Sequence, residues 1–156
     1  MAYLNTNKIS FIGDSLYYYM VRSDSIMATI KKEQLESTEK AMLDVKKIYE
    51  SEEAGKRLLP VLDAMAFLHF GISLMFRISA DKTSNFKEEL KKNKEYLDTN
   101  FSSWRTSEYL KLSYCMKHKF NTKVAIMRKI YKSGLFRIFL ALYNFMINKL
   151  KIDIKW

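Results

Sequence analysis

A mainly α chain is predicted: a bundle of five to six helices headed by a short N-terminal pair of β-strands. Three observations carry that reading. Only four Gly and one Pro occur in 156 residues, too few for long loops or a turn-rich β architecture. Lys, Glu, Leu, Met and Ala, all strong helix formers, dominate the composition. From Ser25 onward apolar residues recur at spacings of three and four, the period of a helix face.

The amino end follows a different period. Residues 2–6 suit the last turn of a helix. KISFIG (8–13) and LYYYMV (16–21) are β-type runs, with Gly13-Asp14 as the turn between or beside them. Two strands alone are marginal in water, so the pair needs a sheet or a helical face to lie on.

Leu35, Thr38, Met42, Val45 and Tyr49 then mark one face of a helix running to about Glu50, with Ser25 or Thr29 as its cap. A second helix starts near Ser51, with Glu52 and Glu53 in its first turn. Pro60 either kinks it or begins a new one. The stretch VLDAMAFLHFGISLMF (61–76) is apolar on nearly every side and reads as the central, buried helix. It holds Asp63 and His69, and Arg77 follows at once, so it falls short of the ~20 apolar residues of a membrane span.

A third helix covers 84–99, with Ser84 as cap and Phe86, Leu90 and Leu97 inward. FSSWRTSEYL (101–110) is a break followed by a new helical start. Further helices run over 106–118, 121–132 and 135–150, with Gly134 as hinge or C-cap. The chain thus divides into strands at 1–24, a helical bundle at 25–133, and a basic amphipathic helix at 134–156.

The net charge of +10 is unevenly placed. Residues 1–100 hold 15 Lys/Arg and 15 Asp/Glu, whereas residues 101–156 hold 12 Lys/Arg against only Glu108 and Asp153. Such a tail calls for an anionic partner. The single cysteine, Cys115, excludes an internal disulfide and a Cys-rich metal site. With an N-terminus that lacks a signal-peptide pattern, it points to a reducing, cytoplasmic setting.

Catalytic chemistry is sparse. His69 has no second ligand or base at helical spacing and reads as a satisfied core histidine. Cys115 and His118 are three apart and could share a helix face, but two ligands make no metal site. Ser23-Asp24-Ser25 has one acid where a metal–diphosphate triplet has two, and helix capping accounts for it better. There is no Gly-rich phosphate loop, no paired carboxylate and no nucleophile elbow.

The tail is more informative. Over 135–151, Arg137, Ala141, Asn144, Asn148 and Lys151 form a narrow polar stripe, and large apolar residues fill the rest. So wide an apolar face, flanked by basic residues, suits an interfacial helix on an anionic membrane, with Trp156 as an interface anchor. The contacts would be Arg128, Lys129, Lys132, Arg137, Lys149 and Lys151. The plainer alternative is a helix that packs on the bundle. Nucleic acid is the weaker partner, because the aromatics lie on the apolar face and form no stacking platform.

The segment LYYYMVRSDSIM (16–27) resembles the end of the catalytic domain in family 2 glycosyltransferases, where a strand of the form Leu-Tyr-x-Tyr-x-x-Arg/His-x-x-Ser-Ile leads into a helix. Leu16, Tyr17, Tyr19, Arg22, Ser25 and Ile26 match. NFSSWRTSEYLK (100–111) is similar, more loosely, to the Asn-Trp-Arg-Lys-Asn linker of bacterial polysaccharide-assembly members. The resemblance implies that Tyr17, Tyr19, Arg22 and Ser25 lie close to the donor diphosphate or the acceptor. Where many members have a metal-binding His, this chain has Arg22, which cannot coordinate a metal but can compensate phosphate charge. The simpler role of Tyr17 and Tyr19 is strand packing.

The complete family enzyme uses a nucleotide-sugar and a divalent metal. The Rossmann-like half, the Asp-x-Asp motif and the Glu-Asp pair that serve them do not occur here. The resemblance therefore implies a C-terminal portion without cofactor or catalytic residues, inactive alone. It would sit peripherally at the inner face of a bacterial cell membrane and pair with a catalytic half or a second copy. The alternative is a stand-alone helical module for an anionic partner.

Overall fold

The structure, a computed structural model, describes residues 8, 10, 13, 14, 32–80 and 85–150. Among the described residues all regular structure is helical and no strand occurs. The strand pair expected at 8–21 lies mostly outside them; Lys8, Ser10, Gly13 and Asp14, which are described, are not in strand. The caps expected at Ser25, Thr29 and Ser84 are also outside. The chain divides into two compact units, Met1–Lys56 and Arg57–Trp156.

In the first unit, α1 (Lys32–Ser51) follows the expected face. Leu35, Met42, Val45 and Tyr49 are half-buried. Thr38 is exposed instead, and its hydroxyl donates back to the Gln34 carbonyl at 2.8 Å. The chain then turns through Glu52 into α2 (Glu53–Ala66). That turn requires glycine at Gly55: a Cβ there would stand 2.5 Å from the Tyr49 carbonyl oxygen.

From Arg57 the second unit is built on a continuous helical rod that begins within α2. Following α2 come a π segment (Phe67–Leu74) and α3 (Met75–Ala80). The rod passes through Pro60 with no new start, and Pro60 itself is exposed. The run expected to fall short of a membrane span is part of a longer helix: over Glu53–Ser79 it is long and apolar enough to cross one by length and composition, although half of its most apolar stretch is buried in the protein. The inward side carries Ala66, Phe67, Phe70, Leu74, Met75 and Ile78. His69 faces the opposite way and is exposed, so it is not a core histidine. Its neighbours Phe67, Phe70 and Gly71 take the inner positions, and Gly71 lets Leu97 approach to where a Cβ would be 3.2 Å away.

The helix α4 (Phe86–Asn100) lays Leu97 and Asn93 into the core and starts at Asn85. Its outer face is laced with ion pairs, Lys92 to Glu88 at 2.9 Å and Lys91 to Glu95 at 3.8 Å among them. Two 3₁₀ turns follow, Ser102–Arg105 and Glu108–Leu110, in place of the α-helix that the sequence period predicts from 106. Phe101, Trp104, Ser107 and Leu110 are all buried. Their spacing of three is what a 3₁₀ winding needs to eclipse them on one side.

Three short helices complete the unit: α5 (Leu112–Lys117), α6 (Thr122–Lys132) and α7 (Phe136–Leu150). Asn121 caps α6, its side chain accepting from the Lys123 N–H at 3.0 Å. Gly134 ends α6 in the left-handed region, φ +79°. The core is aromatic. Phe67 stacks on Trp104 at 4.7 Å, Tyr131 meets both edge-on at 5.4 Å, and Phe136 lies 5.0 Å from Tyr131.

Candidate interaction face

A polar frame holds the 101–110 segment in place beneath the C-terminal helices. The buried Asp63 carboxylate accepts from the Ser103 N–H at 3.0 Å and from the Ser103 hydroxyl. Asp98 accepts from Trp104 Nε1 at 3.1 Å and from Arg105 Nε at 2.7 Å. The Arg105 guanidinium in turn lies 4.9 Å over the Trp104 ring. From α6, Arg128 Nη1 donates to the Ser107 carbonyl at 2.8 Å and Lys132 Nζ to the Arg105 carbonyl at 2.9 Å.

Arg128 therefore leaves the set of surface cations. It is buried, and that burial pulls its guanidinium below the ordinary value. Its role is to hold a backbone carbonyl, which corrects the surface anion contact expected from the sequence. Lys132 is exposed but engaged with the Arg105 carbonyl. Lys129, Arg137 and Lys149 are exposed, and Lys151 lies outside the described residues.

The decisive geometry is in α7. Phe136 and Leu140 are buried, while Phe139 and Tyr143 pack half-buried against Phe76, the latter at 4.8 Å between ring centroids. Asn144 also turns inward: its Nδ2 donates to the Ser79 carbonyl at 2.9 Å and to the Ser79 hydroxyl at 3.2 Å. It thus does not belong to an outer polar stripe. On the far side stand Leu135 (55% exposed), Ile138 (59%), Leu142 (59%) and Phe145 (54%). At about a hundred degrees per residue they share an arc of about 80°. Lys149 falls on the same arc, whereas exposed Arg137 lies about 80° beyond its edge. The wide apolar face seen in the sequence is in fact two faces, one on the protein and one in the open.

The turn between α5 and α6 repeats the chemistry. Met116 (66%) and Phe120 (45%) are exposed beside exposed Lys117 and Lys119. Helical periodicity does not single these residues out, although the interleaving Met-Lys-His-Lys-Phe (116–120) carries the signal. Residues 111–150 contain no Asp or Glu at all.

The other candidates separate. Cys115 is buried whereas His118 is exposed and lies on the Tyr114 ring at 4.3 Å, so the two share no ligand face. Tyr17, Tyr19, Arg22, Ser25, the Ser23-Asp24-Ser25 triplet and Trp156 are outside the described residues. Among the described residues no group of three or more His, Cys, Asp or Glu could hold a metal ion. Comparison with protein-family models, with curated proteins and with solved structures found no match.

Proposed function

We propose that the chain is a non-catalytic helical portion of a family 2 glycosyltransferase of bacterial surface polysaccharide assembly, and that it rests through α7 on the anionic cytoplasmic face of the cell membrane. One observation carries the membrane part: the exposed stripe Leu135, Ile138, Leu142 and Phe145, with Lys149 on the same arc and no acid within 111–150. Each of these apolar side chains is a little over half exposed, so covering it is worth about 1 kcal/mol, and covering all of them about 4 kcal/mol. Each Lys or Arg held near anionic lipid adds about 1 kcal/mol.

The glycosyltransferase part rests on the match at Leu16, Tyr17, Tyr19, Arg22, Ser25 and Ile26, and with it stands the N-terminal strand pair. The Asp-x-Asp motif and the Glu-Asp pair that serve the family's divalent metal do not occur in the sequence. No catalytic step is therefore assigned to this chain.

Cosedimentation with vesicles tests the membrane reading. Binding is expected to vesicles containing phosphatidylserine, to weaken between about 0.1 M and about 0.5 M salt, and to be lost in Ile138→Glu/Leu142→Glu. Equal binding to phosphatidylcholine alone, or full binding by the double variant, would overturn it. Calorimetry with a nucleotide-sugar tests the other part: the chain alone is expected to give no heat of binding, and turnover would sink the proposal. A frame upstream of Met1 encoding a Rossmann-like half would support it, and the absence of one would favour a stand-alone module.

A further inference from the structure

We infer that the α5–α6 turn is a second, independent contact for the same anionic lipid surface, with Met116 and Phe120 entering the headgroup boundary and Lys117 and Lys119 meeting lipid phosphates. The inference rests on the membrane reading of α7 and adds a site to it.

The turn is built to hold these side chains outward. The Phe120 N–H donates to the Cys115 carbonyl at 2.8 Å and the Lys119 N–H to the Met116 carbonyl at 3.4 Å, which closes α5 with a Schellman pair. That closure puts Lys119 in the left-handed region, φ 53°, a conformation glycine normally takes. A lysine there keeps a cation at the tip at a cost in backbone strain. On either side the tip is fixed: Cys115 is fully buried below it, Tyr114 packs on His118, and Asn121 caps α6. Met116 and Phe120 are thus displayed by an ordered turn.

Charge complementarity selects the occupant. Exposed Lys111, Lys117 and Lys119 have no acid nearer in sequence than Glu108, so an anionic surface is the missing partner. Two large apolar side chains at the tip gain nothing from a purely polar polyanion, but they gain from a headgroup–acyl boundary. The combination is that of the α7 stripe: apolar side chains and cations, without an acid.

Phe120→Trp in a Trp156→Phe background gives a direct probe. Trp104, the other tryptophan, is fully buried and serves as the internal control. With phosphatidylserine vesicles carrying brominated acyl chains, emission from the indole introduced at position 120 is expected to shift blue and to be quenched. Lys117→Gln/Lys119→Gln should lower affinity for these vesicles roughly 30-fold, at about 1 kcal/mol per cation, with unchanged circular dichroism. If the chain binds the vesicles while the introduced indole stays unquenched and the lysine variant binds normally, the inference fails and the α7 reading stands. If no variant binds lipid, both fail. Binding of polyglutamate through Lys117 and Lys119, without quenching of that indole by the brominated lipid, would assign the turn to an acidic protein and also overturn the inference.

Discussion

Replacing Tyr131 by Phe removes one oxygen atom from the centre of the second unit. Tyr131 is 2% exposed, and its hydroxyl donates to Asn93 Oδ1 on α4 at 2.8 Å. Phe keeps the ring that meets Phe67 and Trp104 edge-on, so the packing survives and the bond alone is lost. Such a bond is worth about 1 kcal/mol net, but Asn93 is itself buried, and its orphaned carbonyl raises the cost to about 1–3 kcal/mol. Asn93→Leu strands the hydroxyl instead and costs about the same. The pair Tyr131→Phe/Asn93→Leu leaves two apolar groups facing each other, and should cost about 1–2 kcal/mol less than the two singles together.

The same residue has an alkaline signature. Burial, with the Asp98 charge adding to it, raises the Tyr131 phenol above its ordinary value. A raised folded value means that the neutral phenol stabilises the fold fully below the unfolded value, about pH 10, and that this contribution drains as pH rises past it. Urea unfolding followed by circular dichroism, at about pH 7 and about pH 10.5, measures both effects. Tyr131→Phe should be the less stable protein at neutral pH and lose less on going alkaline. Additive single variants, or an alkaline loss identical to that of the unmodified chain, would refute the reasoning.

Two further outcomes follow from the geometry. Gly55→Ala should unsettle the turn between α1 and α2 by about 1–3 kcal/mol, because the new Cβ meets Tyr49 backbone rather than a movable side-chain end; hydrogen exchange of the α1 amides should quicken, and unchanged protection would count against this. Hydrogen bonding from Arg105 holds the Asp98 carboxyl below the ordinary carboxylate range, so its contribution is complete above the unfolded value and is lost as pH falls through the lower folded one. Asp98→Asn should therefore be less stable near about pH 6 and show a shallower loss of urea midpoint down to about pH 3.

Much of the helical content was legible because α1, α4 and α6 keep the three–four period on one side. Gly134 also announced the end of α6, since a left-handed residue there is nearly always glycine. The 101–110 segment was not legible as 3₁₀. Its period of three runs through Ser107, a polar residue that breaks an apolar pattern although it is buried. His69 misled for the converse reason: its run is apolar all round, and which half is covered depends on where α4 lies. Arg128 sits in a basic cluster, and its partner carbonyl is 21 residues away in sequence, beyond any local pattern. In α7 the breadth of the apolar face was visible, but its division into two depends on Phe76 and Ser79, residues on another helix that meet Phe139, Tyr143 and Asn144.

That division bears most directly on what covers α7. An ordinary solvated helix puts its polar side chains outward and its apolar ones inward. The same unit contains such a helix: the outer face of α4 carries Lys91, Lys92, Glu88 and Glu95 in ion pairs. In α7 the arrangement is inverted at two points. Asn144, a polar residue, is turned inward and satisfied by Ser79, while Ile138, Leu142 and Phe145 are left facing out. Scattered exposed apolar residues need no explanation, but three at spacings of four and three on one arc form a contiguous patch. The chain has no Asp or Glu between 111 and 150 with which to build an α4-like face there. A partner that is anionic and apolar at once would satisfy both features, and this is the ground on which a lipid surface is proposed rather than nucleic acid or a purely polar acidic protein.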